Sequence, residues 1–236
     1  MTEKTVEVDL SGIHLAIAMP CHTGTLPLPT ALGVAETCSI LGFKGMPHQL
    51  LNNYNHSLVD QARNELATDF MESDCNKIFW IDSDIQFRAA DAMRIIAFST
   101  LHPMVGALYP IKSDDVKKFF VTFPDDEIRI TEEGLVNVSM TGFGFHVADR
   151  SVYEELAKTC PTYMKNGRKI YDFFLTGRDK EGNPHGEDWW FWKRAEEAGY
   201  YLVIDPTIKL GHIGLKVYSI DPQLMFQELG TGYGNY

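Results

Sequence analysis

Asp82-Ser83-Asp84 follows directly on the apolar run KIFWI. Two carboxylates spaced two apart at the end of a strand can reach the same side of its carboxyl edge. Oxygen-seeking cations such as Mg2+ or Mn2+ are commonly held by one or two carboxylates, with the remaining positions left to phosphate and water. The same pair would also suit a solvated loop or a helix N-cap, so its weight depends on what accompanies it. Glu187 and Asp188 open the amphipathic stretch EDWWFWKRA, where a carboxylate can serve as a general base or simply favour a helix N-terminus. His212 stands between glycines in LGHIG, as a cation ligand or as a turn residue, and imidazole suits Mn2+ better than Mg2+. Trp189, Trp190 and Trp192 fall on different sides of one helix, so the expectation is that at least one faces a cleft, where an indole makes a platform for a sugar ring.

These residues need a scaffold that brings strand ends together. The run HLAIAMP (14–20) reads as a buried strand, 29–43 as a helix closed by the Gly42 to Gly45 turn, and 49–53 as a second strand. Apolar residues three or four apart over 57–71 mark a helix, with Ser57 and Asp60 suggesting a capping box. Residues 77–81 then read as strand, 89–99 as helix and 104–108 as strand. This alternation predicts an α/β fold with a mostly parallel sheet flanked by helices, in which ligands sit at the carboxyl ends of the strands. Beyond Tyr109 the pattern shortens to strands at 119–123, 135–140 and 144–147 and helices at 150–158 and 187–198, a mixed α+β half.

With 236 residues and no Pro/Ser/Gly-rich linker, one domain over 1–236 is expected. Within it, a donor-binding half would span about 12–112 and an acceptor half about 113–217. The tail, 218–236, ends in LGTGYGNY and reads as a lid or a frayed end. A net charge of -11 argues against a polyanionic partner, so nucleic acid is not expected. Cys21, Cys38, Cys75 and Cys160 form no CxxC pair and read as reduced thiols rather than a disulfide framework. The polar, acidic N-terminus and the lack of a long apolar stretch point to a soluble, cytoplasmic protein. Oligomeric state is left open.

Taken in order, FWIDSDIQF, TGFGF, GEDWWFWKRA and LGHIG resemble the GT-A superfamily of glycosyltransferases, particularly its inverting, family 2-like members, over residues 14–214. The resemblance implies transfer of a sugar from a nucleotide-diphosphate-sugar donor to a glycan or other hydroxyl acceptor, with Mn2+ or Mg2+. It makes Asp84 a metal ligand and His212 a further one, and puts Asp82 on the donor ribose or the metal beside Ser83. Asp188 becomes the general base. Glu187, Trp189, Trp190 and Gly142 fall on the acceptor side. Pro20, Cys21 and Thr23 would contact the nucleotide largely through backbone, with Asn53 after the second strand, where relatives often carry an acid that reads uracil. Arg63 would reach the base or diphosphate, or else pair with Asp60 or Asp69. Lys112 would meet a phosphate or the sugar. Gly142 and Gly144 would permit close backbone approach.

Two alternatives belong to other classes. A nucleotidyltransferase building a sugar nucleotide needs a basic, glycine-rich loop after the first strand, and PCHTGTLPLP has neither lysine nor arginine. A non-catalytic carbohydrate-binding relative would have no need of Asp82, Asp84, Asp188 and His212 together.

Overall fold

A computed structural model of the protein describes residues 8–113 and 118–228. The first half runs β1 (Leu15–Cys21), α1 (Leu28–Phe43), β2 (His48–Tyr54), α2 (Val59–Glu72), β3 (Lys77–Ile81), β4 (Ile85–Gln86), α3 (Ala89–Phe98) and β5 (Met104–Gly106). After it come β6 (Val121–Thr122), β7 (Val136–Val138), β8 (Met140–Thr141), β9 (Phe145–Asp149), α4 (Arg150–Ala157), β10 (Thr162–Lys165) and β11 (Arg168–Tyr171). The chain finishes with β12 (Gly177–Arg178), β13 (Pro184–His185), α5 (Glu187–Glu197), β14 (Leu202–Ile204), β15 (Gly211–Ile213), β16 (Val217–Ser219) and α6 (Pro222–Glu228). Of the expected tail, 218–228 is thus partly strand and helix, while 229–236 lies outside the described residues.

Seven strands form the central sheet in the order β2-β1-β3-β9-β5-β14-β7. β1 pairs in parallel with β2 on one side and β3 on the other, so the two crossovers leave a crevice at their carboxyl ends. β5 and β14 are also parallel. This is the α/β class expected, with one difference in topology. β9 inserts antiparallel between β3 and β5, and β7 closes the far edge antiparallel to β14. Strands from the second half of the chain, β7, β9 and β14, thus belong to the same sheet as β1, β2, β3 and β5. Neighbour order of this kind depends on pairing between segments far apart in the chain, which local periodicity does not encode.

Because both faces of the sheet are covered at its centre, β1 and β3 are apolar on both sides. Leu15, Ile17, Phe79 and Ile81 pack towards Val34 of α1 and Ile95 of α3, while Ala16, Ala18, Ile78 and Trp80 meet Leu66 of α2, Tyr153 of α4 and Phe191 of α5. Trp80 and Tyr153 are buried and satisfy each other, the indole Nε1 donating to the phenol oxygen at 2.7 Å. Trp192 likewise belongs to the core, its Nε1 donating to Thr141 O at 2.6 Å.

Two local expectations change. Ser57 and Asp60 form no capping box: Leu58 is the N-cap in extended conformation, and Asp60 Oδ1 accepts from Gln61 N at 2.8 Å. The strand expected at 135–140 breaks at Ser139, whose N–H donates to Thr122 O, so that β7 and β8 join different sheets. The β10–β11 hairpin was missed although its signal was present: Asn166 and Gly167 both have positive φ, the Asn-Gly turn that matches strand twist.

His146 lies buried in β9 between Phe143 and Trp192. Burial, helped by the charge of Arg63, brings its pKa down to about 3, so it is neutral when folded. The unfolded chain takes up that proton near pH 6.5, so the contribution is intact above this pH and is lost as pH falls towards 3. A His146→Gln variant should flatten the pH dependence of unfolding free energy in this window by about 1.4 kcal/mol per pH unit. Denaturant melts at pH 4 to 7 check it; an unchanged slope would place the responsible proton elsewhere.

Candidate active site

The chain turns sharply after β3, with Ile85 N–H donating to Asp82 O. Strand alternation therefore ends at Ile81, and the two aspartates diverge instead of sharing one side. Asp82 faces α2, where Arg63 Nη2 contacts Oδ1 at 3.0 Å and Oδ2 at 3.2 Å. Asp84 faces the β15–β16 hairpin. Ser83 sits between them, partly exposed.

His212 of β15 is in register with Ile85 of β4. Its Nδ1 lies 2.8 Å from Pro110 O, which can only accept, so Nδ1 carries the proton. That leaves Nε2 facing Asp84 Oδ1 at 3.6 Å. Fixing one ring nitrogen on a backbone carbonyl while the other points at a carboxylate is how proteins orient a ligating imidazole. Ile213 N–H, one residue on, donates to Asp84 O at 2.8 Å and pins the two segments together. Lys112 Nζ approaches the other oxygen, Oδ2, at 2.5 Å. Burial pushes the Asp84 carboxyl up, but His212 in its protonated form and Lys112 outweigh it and bring the pKa down to about 2. A carboxylate oxygen beside a pre-oriented imidazole fits a divalent cation that completes its shell with ligand oxygens and water. Among the described residues no group of three or more His, Cys, Asp or Glu side chains gathers for a metal, and Asp82 does not join the pair.

Arg63 links this side to the next. It is only 4% exposed and lies 4.9 Å over the ring of Phe143, with Nε 3.5 Å from Glu187 Oε1 at the start of α5. Its partners are thus Asp82 and Glu187 rather than Asp60 or Asp69; Asp69 pairs with Arg168 instead. Burial pushes the Glu187 carboxyl up, against the pull of Arg63. Asp188 is raised by burial as well, with Arg63 lowering it and the charge of Asp82 raising it. One oxygen of Asp188 accepts from Trp189 N at 2.7 Å, which is the helix-terminus role, and no side chain among the described residues donates to the carboxylate.

Tyr109, which sequence reasoning did not single out, joins the two aspartate branches. Its hydroxyl accepts from Gly144 N at 3.0 Å, and its ring stands edge-on to His212 at 5.0 Å. Burial and the charge of Asp82 hold the phenol well above its ordinary pKa. Nothing in local pattern marks this tyrosine, because the backbone it serves lies 35 residues away. TGFGF does match the expected close approach: a Cβ on Gly142 would stand 2.3 Å from Tyr109 Oη, and one on Gly144 2.6 Å from Asp82 Oδ2. Gly144→Ala should therefore push Asp82 off Arg63 and cost about 1–3 kcal/mol, read as a lower unfolding midpoint; a midpoint within 1 °C of wild type, equivalent to about 0.3 kcal/mol, would show that the carboxylate yields freely.

The remaining expected positions are distributed around this centre. Pro20 and Cys21 end β1 opposite Asn53 and Tyr54, and Cys21 Sγ contacts Thr25 O at 3.3 Å. Thr23 pairs with Thr25 in an exposed loop. Asn53 Nδ2 donates to Ala62 O at 2.8 Å, which ties β2 to α2 and leaves a buried acceptor, Oδ1, without a described partner. Trp189 stacks on His185 at 3.7 Å, and His185 is held by Asp179 at 2.7 Å. Trp190, partly buried, stands edge-on to Trp189 at 4.8 Å. The four cysteines are free. Among the described residues no helix is long and apolar enough to cross a membrane.

No known protein family matches the chain, and no curated protein does. Among solved structures, the crystal structure of GalNAc-T7 with UDP, GalNAc and Mn2+ is similar over 89% of this chain and 45% of that one, with 11% identity and a TM-score of 0.48. The crystal structure of S. aureus TarS is similar over 91% of this chain and 38% of that one, with 10% identity and a TM-score of 0.43. The chain spans less than half the length of either protein. At these values the likeness says nothing about chemistry, which rests on the residues themselves.

Proposed function

We propose that this protein is a GT-A-type glycosyltransferase that moves a sugar from a nucleotide-diphosphate donor onto an acceptor hydroxyl, with inversion. The observation that carries the reading is the pairing of Asp84 with a pre-oriented His212 at the carboxyl end of β3, in one connected cluster with the half-free carboxylate of Asp188. Asp84 and His212 would hold Mn2+ or Mg2+. When bound, such a cation stabilises negative charge on the leaving diphosphate.

The chain's own residues supply the rest. Asp188 takes the proton from the acceptor hydroxyl as that oxygen bonds to the anomeric carbon and the bond to the diphosphate breaks. The transition state is oxocarbenium-like, as in glycoside hydrolysis, so a carboxylate close to the sugar also favours it. Arg63 holds Asp82 at the donor side and Glu187 at the acceptor side, and so fixes the distance between them. Pro20, Cys21, Thr23, Asn53 and Ser83 would contact the nucleotide, and Lys112 would meet a phosphate oxygen. Trp189 and Trp190, with Gly142, form the acceptor side.

The test is a calorimetric and nucleotide-release screen of UDP-, GDP- and dTDP-sugars, with and without Mn2+, on wild type and Asp84→Ala. One donor should bind in a metal-dependent way, and the Asp84 variant should lose about 10-fold or more in that binding. If no nucleotide-sugar binds under any metal condition, the reading is wrong and a non-enzymatic role takes its place.

A further inference from the structure

Asp84 offers a cation only one of its two oxygens. Oδ1 faces His212 Nε2, while Oδ2 is taken by Lys112 Nζ at 2.5 Å. The lysine is positioned by packing as well as by charge. Its stem runs along the turn between β15 and β16, where a Cβ on Gly214 would stand 3.3 Å from Lys112 Cδ. That turn is closed by Gly214 N–H donating to Lys216 O at 2.8 Å, and the same hairpin holds the Asp84 backbone through Ile213 N–H. One hairpin thus fixes imidazole, carboxylate and ammonium together.

A divalent ion between Oδ1 and Nε2 would have two protein donors and a resident positive charge one carboxylate away. Among the described residues no third ligand of the usual kind adds to them. Asp84 supplies a single negative charge, and the ammonium already offsets it. We propose that Lys112 sets the metal affinity of this site, acting as a resident counter-cation that keeps a divalent ion weakly held by the free protein. The inference rests on the reading of Asp84 and His212 as the cation ligands. Removing a unit charge a few ångströms from a divalent ion at a half-exposed site is worth about tenfold in affinity or more. Arginine would keep the charge and methionine would keep most of the stem.

The experiment titrates Mn2+ alone into the full chain, read by the electron paramagnetic resonance signal of the free ion and by calorimetry. It compares wild type, K112M, K112R and the double variant K112M/D84N, each shown to be folded by its thermal melt. K112M is expected to bind Mn2+ at least about tenfold more tightly than wild type, with K112R close to wild type and K112M/D84N losing the gain. Equal affinity in wild type and K112M, or equal tightening in K112R, overturns the role of the lysine charge. In that case, loss of binding in the double variant still leaves the metal reading intact. If K112M/D84N binds like K112M, the ion is not on Asp84 and both readings fall.

Discussion

Asparagine in place of Asp188 is expected to lower kcat by about 100- to 10,000-fold while donor binding stays as in wild type. The substitution is nearly isosteric, and its amide oxygen can keep accepting from Trp189 N, so α5 retains its first-turn hydrogen bond. What disappears is the second carboxylate oxygen, which no described side chain engages, and with it the capacity to take a proton. Burial, partly countered by the Trp189 N–H and by Arg63, also raises the carboxyl from its ordinary value. Wild-type turnover should therefore fall as pH drops through that raised pKa, with an acid limb higher than an exposed aspartate near 3.9 would give. Steady-state rates across pH 4 to 8, set beside calorimetric donor affinity, check both statements. Loss of donor binding in parallel with kcat would mean that Asp188 holds the nucleotide side rather than the acceptor proton.

The largest expected effect on stability comes from Arg63. Methionine there leaves Asp82 and Glu187 facing each other across a buried space without the guanidinium that compensates them. Breaking a buried ion pair on one side costs about 3–5 kcal/mol, and partial exposure of the two acids brings the expectation to the lower end, ~3 kcal/mol. For a chain of this size that is a fall of about 6–12 °C in Tm. The triple variant R63M/D82N/E187Q should recover most of it, because the charges left behind, more than the lost contact, carry the cost. If the triple variant melts no higher than R63M, packing of the guanidinium on Phe143 and Trp80 is what Arg63 contributes.

How much of this was legible in the sequence differs from residue to residue for physical reasons. α5 begins at Glu187 as expected, and β1, α1, α2 and β3 lie within two residues of their expected bounds, because each carries its own periodicity or apolar run. Asp84, His212 and Asp188 could be singled out because they follow a strand end, stand between glycines, or open a helix. The partner of Arg63 could not be found this way: Asp60 and Asp69 are its neighbours along the helix, whereas Asp82 and Glu187 reach it only once β3 and α5 pack on α2. Tyr109 escaped for the same reason. The divergence of Asp82 from Asp84 came from a turn whose sequence, Asp-Ser-Asp, is compatible with strand continuation as well. The β10–β11 hairpin, by contrast, carries a local signal in its Asn166-Gly167 turn.

The place of β9 in the sheet bears on how the chain reaches its native state. When the ribosome has released only the first hundred or so residues, β2, β1 and β3 can assemble, but the free margin of β3 has no neighbour and β5 has nothing to lie against. Both of β5's companions, β9 and β14, are encoded later, the second of them about a hundred residues downstream. A nascent half-protein therefore displays an unsatisfied, strongly apolar strand margin of the kind that invites pairing with another chain. Completion waits on contacts distant in sequence, which slows folding. A break in the chain before β9 would leave the β3 margin open, and truncation before β14 would open the outer side of β5, so chaperone capacity during synthesis becomes a determinant of yield.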